Sequence, residues 1–284
     1  MSFLDRMKDC SVPDLSTYLP FVVGDEIVGY VKPSFAKTLN DFQDTFTITE
    51  DRLELNQKLH SIQERTQGIS EVLESLARSG IVSGWRGERY KVSRTYYEPT
   101  VFEIERAAVP LFGTIGCSVH INGITWRNGK LCMWIGRRSL TKPIGPGKLD
   151  QIVAGGQPIG ISVRNNLIKE CAEEANIPAE IAVSSKSVGA LTYIVEQPEG
   201  LRRDVIFIYD LVLPEDFKPE NTDGEMEEFQ LMTMNDVMSR VQETCDFKFN
   251  CAFVIIDFLI RHGYIEPDHQ DYLKLISSLH NPKL

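Results

Sequence analysis

Residues 155–177, GGQPIGISVRNNLIKECAEEANI, constrain this chain more than any other stretch. A glycine turn opens the segment, and a helix carrying Glu170, Glu173 and Glu174 follows. Residues three and four apart share one helical face, so the carboxylates converge, and like charges at that spacing weaken an isolated helix. A hard divalent cation reverses the sign of that interaction, because Mg2+ takes oxygen ligands and brings two positive charges. The opposite face carries Val163, Leu167, Ile168, Cys171 and Ala175. That amphipathic pattern turns an apolar side to a core and an acidic side to a cleft. Taken alone, an E-x-x-E-E helix is most often an ordinary solvated face.

The totals narrow the class. With 284 residues, 42% hydrophobic and 25% charged, the chain reads as an average soluble protein of one large or two ordinary domains. It has no run of about 18 apolar residues that would span a membrane, and its start lacks a signal-peptide core. Six cysteines are scattered without a C-x-x-C pair, and five histidines show no ligand spacing. Reduced thiols in the cytoplasm, or in the nucleus, are expected. A net charge of -10 argues against a nucleic-acid partner. One local exception is basic: Arg137, Arg138, Lys142 and Lys148 occur with no acid between them. Such a loop suits a small polyanion such as a diphosphate.

Along the chain, residues 1–17 form a ragged lead-in. Runs 18–23 and 27–31 flank Gly24-Asp25 as a hairpin, and Pro33 starts a short helix to about residue 42. Short strands follow at 46–48 and 53–55, then a helix over 69–79 closed by Gly80, then a second hairpin over 85–92. This predicts a smaller α+β unit over 1–110. Its aromatics Phe35, Phe42, Trp85, Tyr90, Tyr96 and Tyr97 belong to core or interface. After a boundary within 99–116, strands are predicted over 117–126 and 130–137, joined by Asn128-Gly129, a type I′ signal. A short strand over 151–154 leads into the glycines. Beyond the acidic helix come strands over 187–197 and 204–213 and an acidic loop over 215–228. A strand over 229–232 precedes a helix capped by Asn235. A buried helix over 252–261 ends at Gly263, and a last helix covers about 268–279.

The acidic segment resembles the Nudix box, G-x5-E-x7-R-E-U-x-E-E-x-G-U, with U aliphatic. Gly155, Glu170, Cys171, Glu173, Glu174 and Ile177 are in register. Ile161 stands at the first Glu, Lys169 at the Arg and Asn176 at the last Gly. Asn is the second-best residue for a left-handed helix end. Losing the carboxylate at 161 removes the reason for a bidentate guanidinium at 169, so those two departures read as one. The resemblance implies fold class α/β: a Nudix α/β/α sandwich matched over about 112–265, in a domain running 112–284, with the smaller N-terminal α+β domain before it. A wider set of motifs is similar to the Nudix subfamily related to thiamine pyrophosphokinase. It comprises WIGRRS at 134–139, Lys142, PGKLD at 146–150, VAGG at 153–156, GIS at 160–162 and DGEMEEF at 223–229.

What the resemblance implies is hydrolysis of thiamine diphosphate, or of its oxidised analogues oxothiamine and oxythiamine diphosphate, to the monophosphate. Glu170, Glu173 and Glu174 would hold Mg2+ or Mn2+. Arg137, Arg138, Lys142 and Lys148 would hold phosphate oxygens, with Gly155 and Gly156 offering backbone N–H groups to the same anion. Glu225, ahead of Glu227 and Glu228, would supply a further base. The expected partner is a small-molecule diphosphate, with no membrane or nucleic acid and no indication of oligomeric state. The N-terminal domain would line the organic end of the substrate. Two other readings compete. An isopentenyl-diphosphate-isomerase-like enzyme needs a Cys–Glu pair, and no matching cysteine motif is present. A non-catalytic Nudix-fold ligand-binding protein would be favoured by loss of a metal glutamate, and none is lost.

Overall fold

The computed structural model describes residues 1–8, 12–142 and 144–280; Cys10 lies outside them. After α1 (Phe3–Lys8), β1 (Leu19–Val23) and β2 (Glu26–Val31) form the expected hairpin. Next come α2 (Pro33–Thr38), β3 (Phe46–Ile48), β4 (Leu53–Leu55) and α3 (Ile62–Arg78). The strands make a sheet of order β2-β1-β4-β3. α3 starts earlier than its apolar spacing suggests because Ser61 and Glu64 form a capping box. β5 (Arg89–Val92) pairs with β6 (Phe102–Glu105), and α4 (Val109–Phe112) closes the unit. The hairpin expected within 85–92 is therefore absent: β5 finds its partner further along the chain. Phe35, Phe46 and Phe102 surround Phe21 and Phe112 at the centre of this core, where those two rings lie 5.3 Å apart. Of the aromatics assigned above to core or interface, Tyr97 and Trp85 are exposed and so lie outside the core.

The second half is an α/β/α sandwich. Its strands are β7 (Ile115–Arg127), β8 (Lys130–Arg138), β9 (Leu149–Gln151), β10 (Val153–Gly156), β11 (Lys186–Gln197), β12 (Gly200–Val212) and β13 (Met226–Thr233). Its helices are α5 (Val163–Ala175), α6 (Ala179–Ala182), α7 (Met234–Glu243), α8 (Phe249–Arg261) and α9 (Tyr272–His280). The path runs β11-β12-β7-β8-β13, with β12 parallel to β7. Asn128 and Gly129 both take positive φ, as the type I′ turn between β7 and β8 requires. Strand alternation sorts the side chains. Ile124, Met133, Ile135, Ile206 and Ile208 pack under α7, α8 and α9, while Val119, Ile121, Tyr209 and Leu211 pack under α5 and α6. β13 begins at Met226, so it takes in the end of the expected acidic loop, and Thr233 rather than Asn235 caps α7.

Two features position the site. β9 and β10 are one segment that changes partner: Gln151 pairs with Ile135 of β8, and Val153 with Ile121 of β7. The fork between β8 and β10 opens the sheet above α5. The halves are also interlocked. Phe3 of α1 is buried in the core with α8 and α9, and Arg6 donates to the Thr244 carbonyl at 2.8 Å. The lead-in thus packs as part of the C-terminal half, not of the unit predicted over 1–110. Lys32 donates to the Gln197 carbonyl, and Arg203 stacks over Tyr30 while donating to the Gly113 carbonyl.

Candidate active site

Ser162 caps α5 by accepting the Asn165 N–H, and Asn176 ends it at φ 51°, the left-handed cap anticipated for that departure. Leu167, Cys171 and Ala175 are fully buried. The acidic side is only partly solvated: Glu170 is 8% exposed and Glu174 only 2%, whereas Glu173 is exposed. Glu174 accepts the Ala154 N–H at 2.7 Å, and Asn166 donates to the Gly156 carbonyl at 2.8 Å. Both bonds use the edge of β10 that β7 leaves open, so the helix is stapled to that edge.

The two glycines are strand, not turn. Gly155 and Gly156 pair with Val119 and Ser118 in β10, and the turn follows at Gly160 with φ 87°. Glycine is needed for close approach instead. A Cβ on Gly155 would lie 2.2 Å from Cδ of Glu170, and one on Gly156 would lie 1.8 Å from the Tyr90 hydroxyl. Gly155 and Gly156, expected to offer N–H groups to an anion from a turn, lie in a paired strand, and the N–H of the neighbouring Ala154 is taken by Glu174.

A cleft of about 560 Å3 runs between the halves. Glu170, Glu173, Glu174, Lys142, Arg138, Gly155, Gly156 and Glu225 line it. Arg137 and Lys148 do not. Arg137 pairs with Glu228 at 2.9 Å, and Lys148 donates to the Cys245 carbonyl at 2.6 Å. Arg138 reaches the cleft wall but is buried against Asp150 at 2.7 Å and donates to the Ile144 carbonyl. From the basic loop, Lys142 alone is presented to the cleft with a carboxylate, Glu225, as its partner. Among the loop glutamates, Glu225 lines the cleft, while Glu227 accepts the Leu140 N–H and Glu228 holds Arg137. Burial works to raise the Glu225 carboxyl; Lys142 overcomes that and holds it below its usual range. Asp223, which sequence reasoning passed over, also lines the cleft.

Lys169 does not brace the loop before α5. It lies 3.2 Å from Glu170 and 2.8 Å from Glu173. The loop is held by Gln157, which donates to the Ile161 carbonyl at 2.8 Å, and by β5, whose Arg89 carbonyl accepts the Ile159 N–H at 2.9 Å. With Ile161 and Lys169 at the Glu and Arg positions of the box, the loop is tied to itself through Gln157 and to the N-terminal half through Arg89. The same half contributes Arg86, Glu88, Tyr90 and Arg106 to the cleft wall. No spacing in the sequence joins them, since they sit in and around two strands that meet only after folding.

Burial raises the Glu170 carboxyl, and burial together with the Glu170 charge pushes Glu174 well above the usual carboxylate range. Two buried acids one turn apart, with oxygen donors only, fit a hard divalent cation. Another acidic group is tighter: ligand atoms of His120, Asp150 and Cys251 lie within 4.8 Å of one another. Its side chains are already held in hydrogen bonds. Asp150 accepts from Arg138 at 2.7 Å and from the Cys251 thiol at 2.7 Å, and His120 Nδ1 bonds Gln151 Oε1 at 2.8 Å. Burial, followed by the Asp150 charge, pushes the thiol well up, so it is a neutral hydrogen-bond donor rather than a thiolate ligand. The α5 glutamates suit a hard divalent cation, whereas Asp150 and Cys251 are bonded to each other and Asp150 to Arg138.

Comparison with known proteins decides the family. Residues 2–115 match a family described as a domain of unknown function (DUF4743). The chain is 44% identical over 283 residues to Nudix hydrolase 24, chloroplastic, of Arabidopsis thaliana, covering 98% of this chain and 78% of that protein. The chain belongs to the Nudix hydrolase family. It is also 43% identical over 290 residues to Nudix hydrolase 20, chloroplastic, of the same plant, with the same coverage. Among solved structures it is similar to DR0079 from Deinococcus radiodurans, at 20% identity and a TM-score of 0.47 over 60% of this chain and 98% of that one. As a Nudix diphosphohydrolase it acts on pyrophosphate-containing substrates, in a family that generally uses divalent metals. Among the described residues no helix is long and apolar enough to cross a membrane.

Proposed function

We propose that this Nudix hydrolase cleaves an organic diphosphate to a monophosphate and inorganic phosphate with Mg2+ or Mn2+, and that its substrate is thiamine diphosphate or the oxothiamine and oxythiamine analogues. The observation that carries the reaction class is the pair Glu170 and Glu174, buried one turn apart at the wall of a cleft that also presents Lys142. Two buried carboxylates so placed resist ionising together, and a cation resolves the conflict. Glu170, Glu173 and Glu174 would hold the metal, which supplies charge neutralisation at the diphosphate oxygens. Lys142 is placed to bind a phosphate. Water attacks one phosphorus, the bridging P–O bond breaks, and the water's proton passes to Glu225. A phosphate that draws Lys142 away leaves Glu225 more basic, which suits that role.

The substrate class rests on the wider motif set and on a cleft whose second wall comes from the N-terminal half. The ligand is a small molecule, and neither nucleic acid nor membrane is part of this reading. We place the enzyme in the cytoplasm, with the nucleus as the other reducing compartment, because all five described cysteines are free; the plant relatives are described as chloroplastic. The test is a screen of organic diphosphates with Mg2+ or Mn2+, reading monophosphate by chromatography. Release from thiamine-type diphosphates ahead of nucleotide sugars supports the reading. No release from any diphosphate, with proton exchange into isopentenyl diphosphate, would replace it by the isomerase.

A further inference from the structure

We propose that the N-terminal half completes the active site by supplying its phosphate-binding guanidinium: Arg106, assisted by Arg86, binds the diphosphate across β10 from the acidic helix. This rests on the diphosphohydrolase reading above and adds the residue that grips the anion.

The basic loop leaves that role to a single lysine, Lys142. Arg137 and Lys148 lie outside the cleft, and Arg138 is consumed by Asp150 and the Ile144 carbonyl. Of the other cations that line it, Lys169 lies on Glu170 and Glu173, Arg202 sits beside Asp204 and Glu199, and the charge of Lys248 acts on the buried Asp150. Arg106 is different. Its Nη1 donates to Glu88 at 2.8 Å, while Nε and Nη2 make no hydrogen bond to any described residue. The Arg86 side chain makes none either. A guanidinium anchored at one nitrogen, with two more donors spare, is preorganised for an anion.

The position of Arg106 is set by packing, not by a flexible reach. Its guanidinium stands 5.9 Å from the centre of the Tyr90 ring, and Tyr90 rests on Gly156. A Cβ on Gly156 would lie 3.1 Å from Cζ of Arg106. Successive strand residues point to opposite faces. Arg106 therefore covers one face of β10 at Gly156, and Glu170 covers the other at Gly155. With no side chain on either residue, only the strand backbone separates guanidinium from carboxylate. Both groups line the same cleft. The Arg106 charge is felt at Glu170, where it favours the carboxylate, so an anion held at the acidic helix would lie in the field of this arginine. The charges of Arg106 and Arg86 are also felt at Glu225, on the far side of the cleft.

The experiment uses the full-length protein with Arg106→Ala, Arg106→Lys, Arg86→Ala and Glu88→Gln. Three quantities are read: KM and kcat for the best diphosphate, the affinity for inorganic pyrophosphate by calorimetry with Mn2+ present, and Mn2+ affinity alone. Arg106→Ala should raise KM and weaken pyrophosphate binding at least tenfold, with Mn2+ affinity unchanged. Arg106→Lys should recover part of the loss, and Arg86→Ala should show a smaller change of the same kind. Glu88→Gln should loosen Arg106 and raise KM by a few-fold. If Arg106→Ala misfolds, Arg106→Lys and Glu88→Gln carry the same readouts. Wild-type KM and pyrophosphate affinity in a folded Arg106 variant would overturn the proposal. An inactive wild type that still binds pyrophosphate through Arg106 would sink the diphosphohydrolase reading and leave the anion subsite standing.

Discussion

The carboxylate of Glu170 occupies the space where a side chain on Gly155 would stand, with Cδ 2.2 Å from the ideal Cβ position. The glycine of the box is thus required by the glutamate of the box. Gly155→Ala should push Glu170 off its place. Overpacking of this kind costs about 1–3 kcal/mol, and turnover should fall more than stability suggests, because a ligand carboxylate moves. Melting temperature and kcat of the purified variant check this; wild-type kcat would mean that Glu170 needs no such seat.

Glu174→Gln removes a buried negative charge while keeping the shape that accepts the Ala154 N–H. Turnover should drop by several orders of magnitude, whereas the melting temperature should hold or rise, since repulsion with Glu170 is relieved. Retention of more than a tenth of the activity, about 1.4 kcal/mol of barrier, would remove Glu174 from the metal site.

The basic loop divides in function. Arg137→Ala and Lys148→Ala each remove a contact outside the cleft and should change KM by less than about twofold, as surface pairs contribute little. Lys142→Ala should raise KM more than it lowers kcat, because it holds charge already present in the bound ground state. A large KM effect at Arg137 with none at Lys142 would reverse this division.

His120 sets a pH dependence of stability. Burial brings its imidazole down from 6.5 to about 4, against the pull of Asp150. The folded protein holds it neutral where the unfolded chain binds a proton. Stability from this group is therefore full above about 6.5, falls as the pH drops, and levels off below about 4, a change on the order of 3 kcal/mol. Denaturant melts of His120→Gln across that range should give a flatter profile than wild type. An unchanged slope would show that the group titrates normally.

The sequence alone determined most of the elements and the acidic half of the site. Apolar periodicity, the Asn128-Gly129 turn and the αL-tolerant Asn176 are local signals, and local backbone chemistry decides them. Likewise, Glu170, Glu173 and Glu174 share a helix, so i, i+3 and i+4 spacing alone groups them. Local reading failed where a partner lay far along the chain. It took Gly155-Gly156 for a turn, because a glycine pair signals a turn in the absence of neighbours; Glu170, Tyr90 and β7 make it a strand. It counted four loop cations as equal, yet Glu228, Asp150 and the Cys245 carbonyl claim three of them. Ion pairing depends on distance in space, and a run of charges in one dimension carries no record of which carboxylate will arrive. The wall formed by Arg86, Glu88, Tyr90 and Arg106 was hidden for the same reason. Only the docking of β5 beside the loop before α5, through Arg89 and Ile159, brings it to the glutamates.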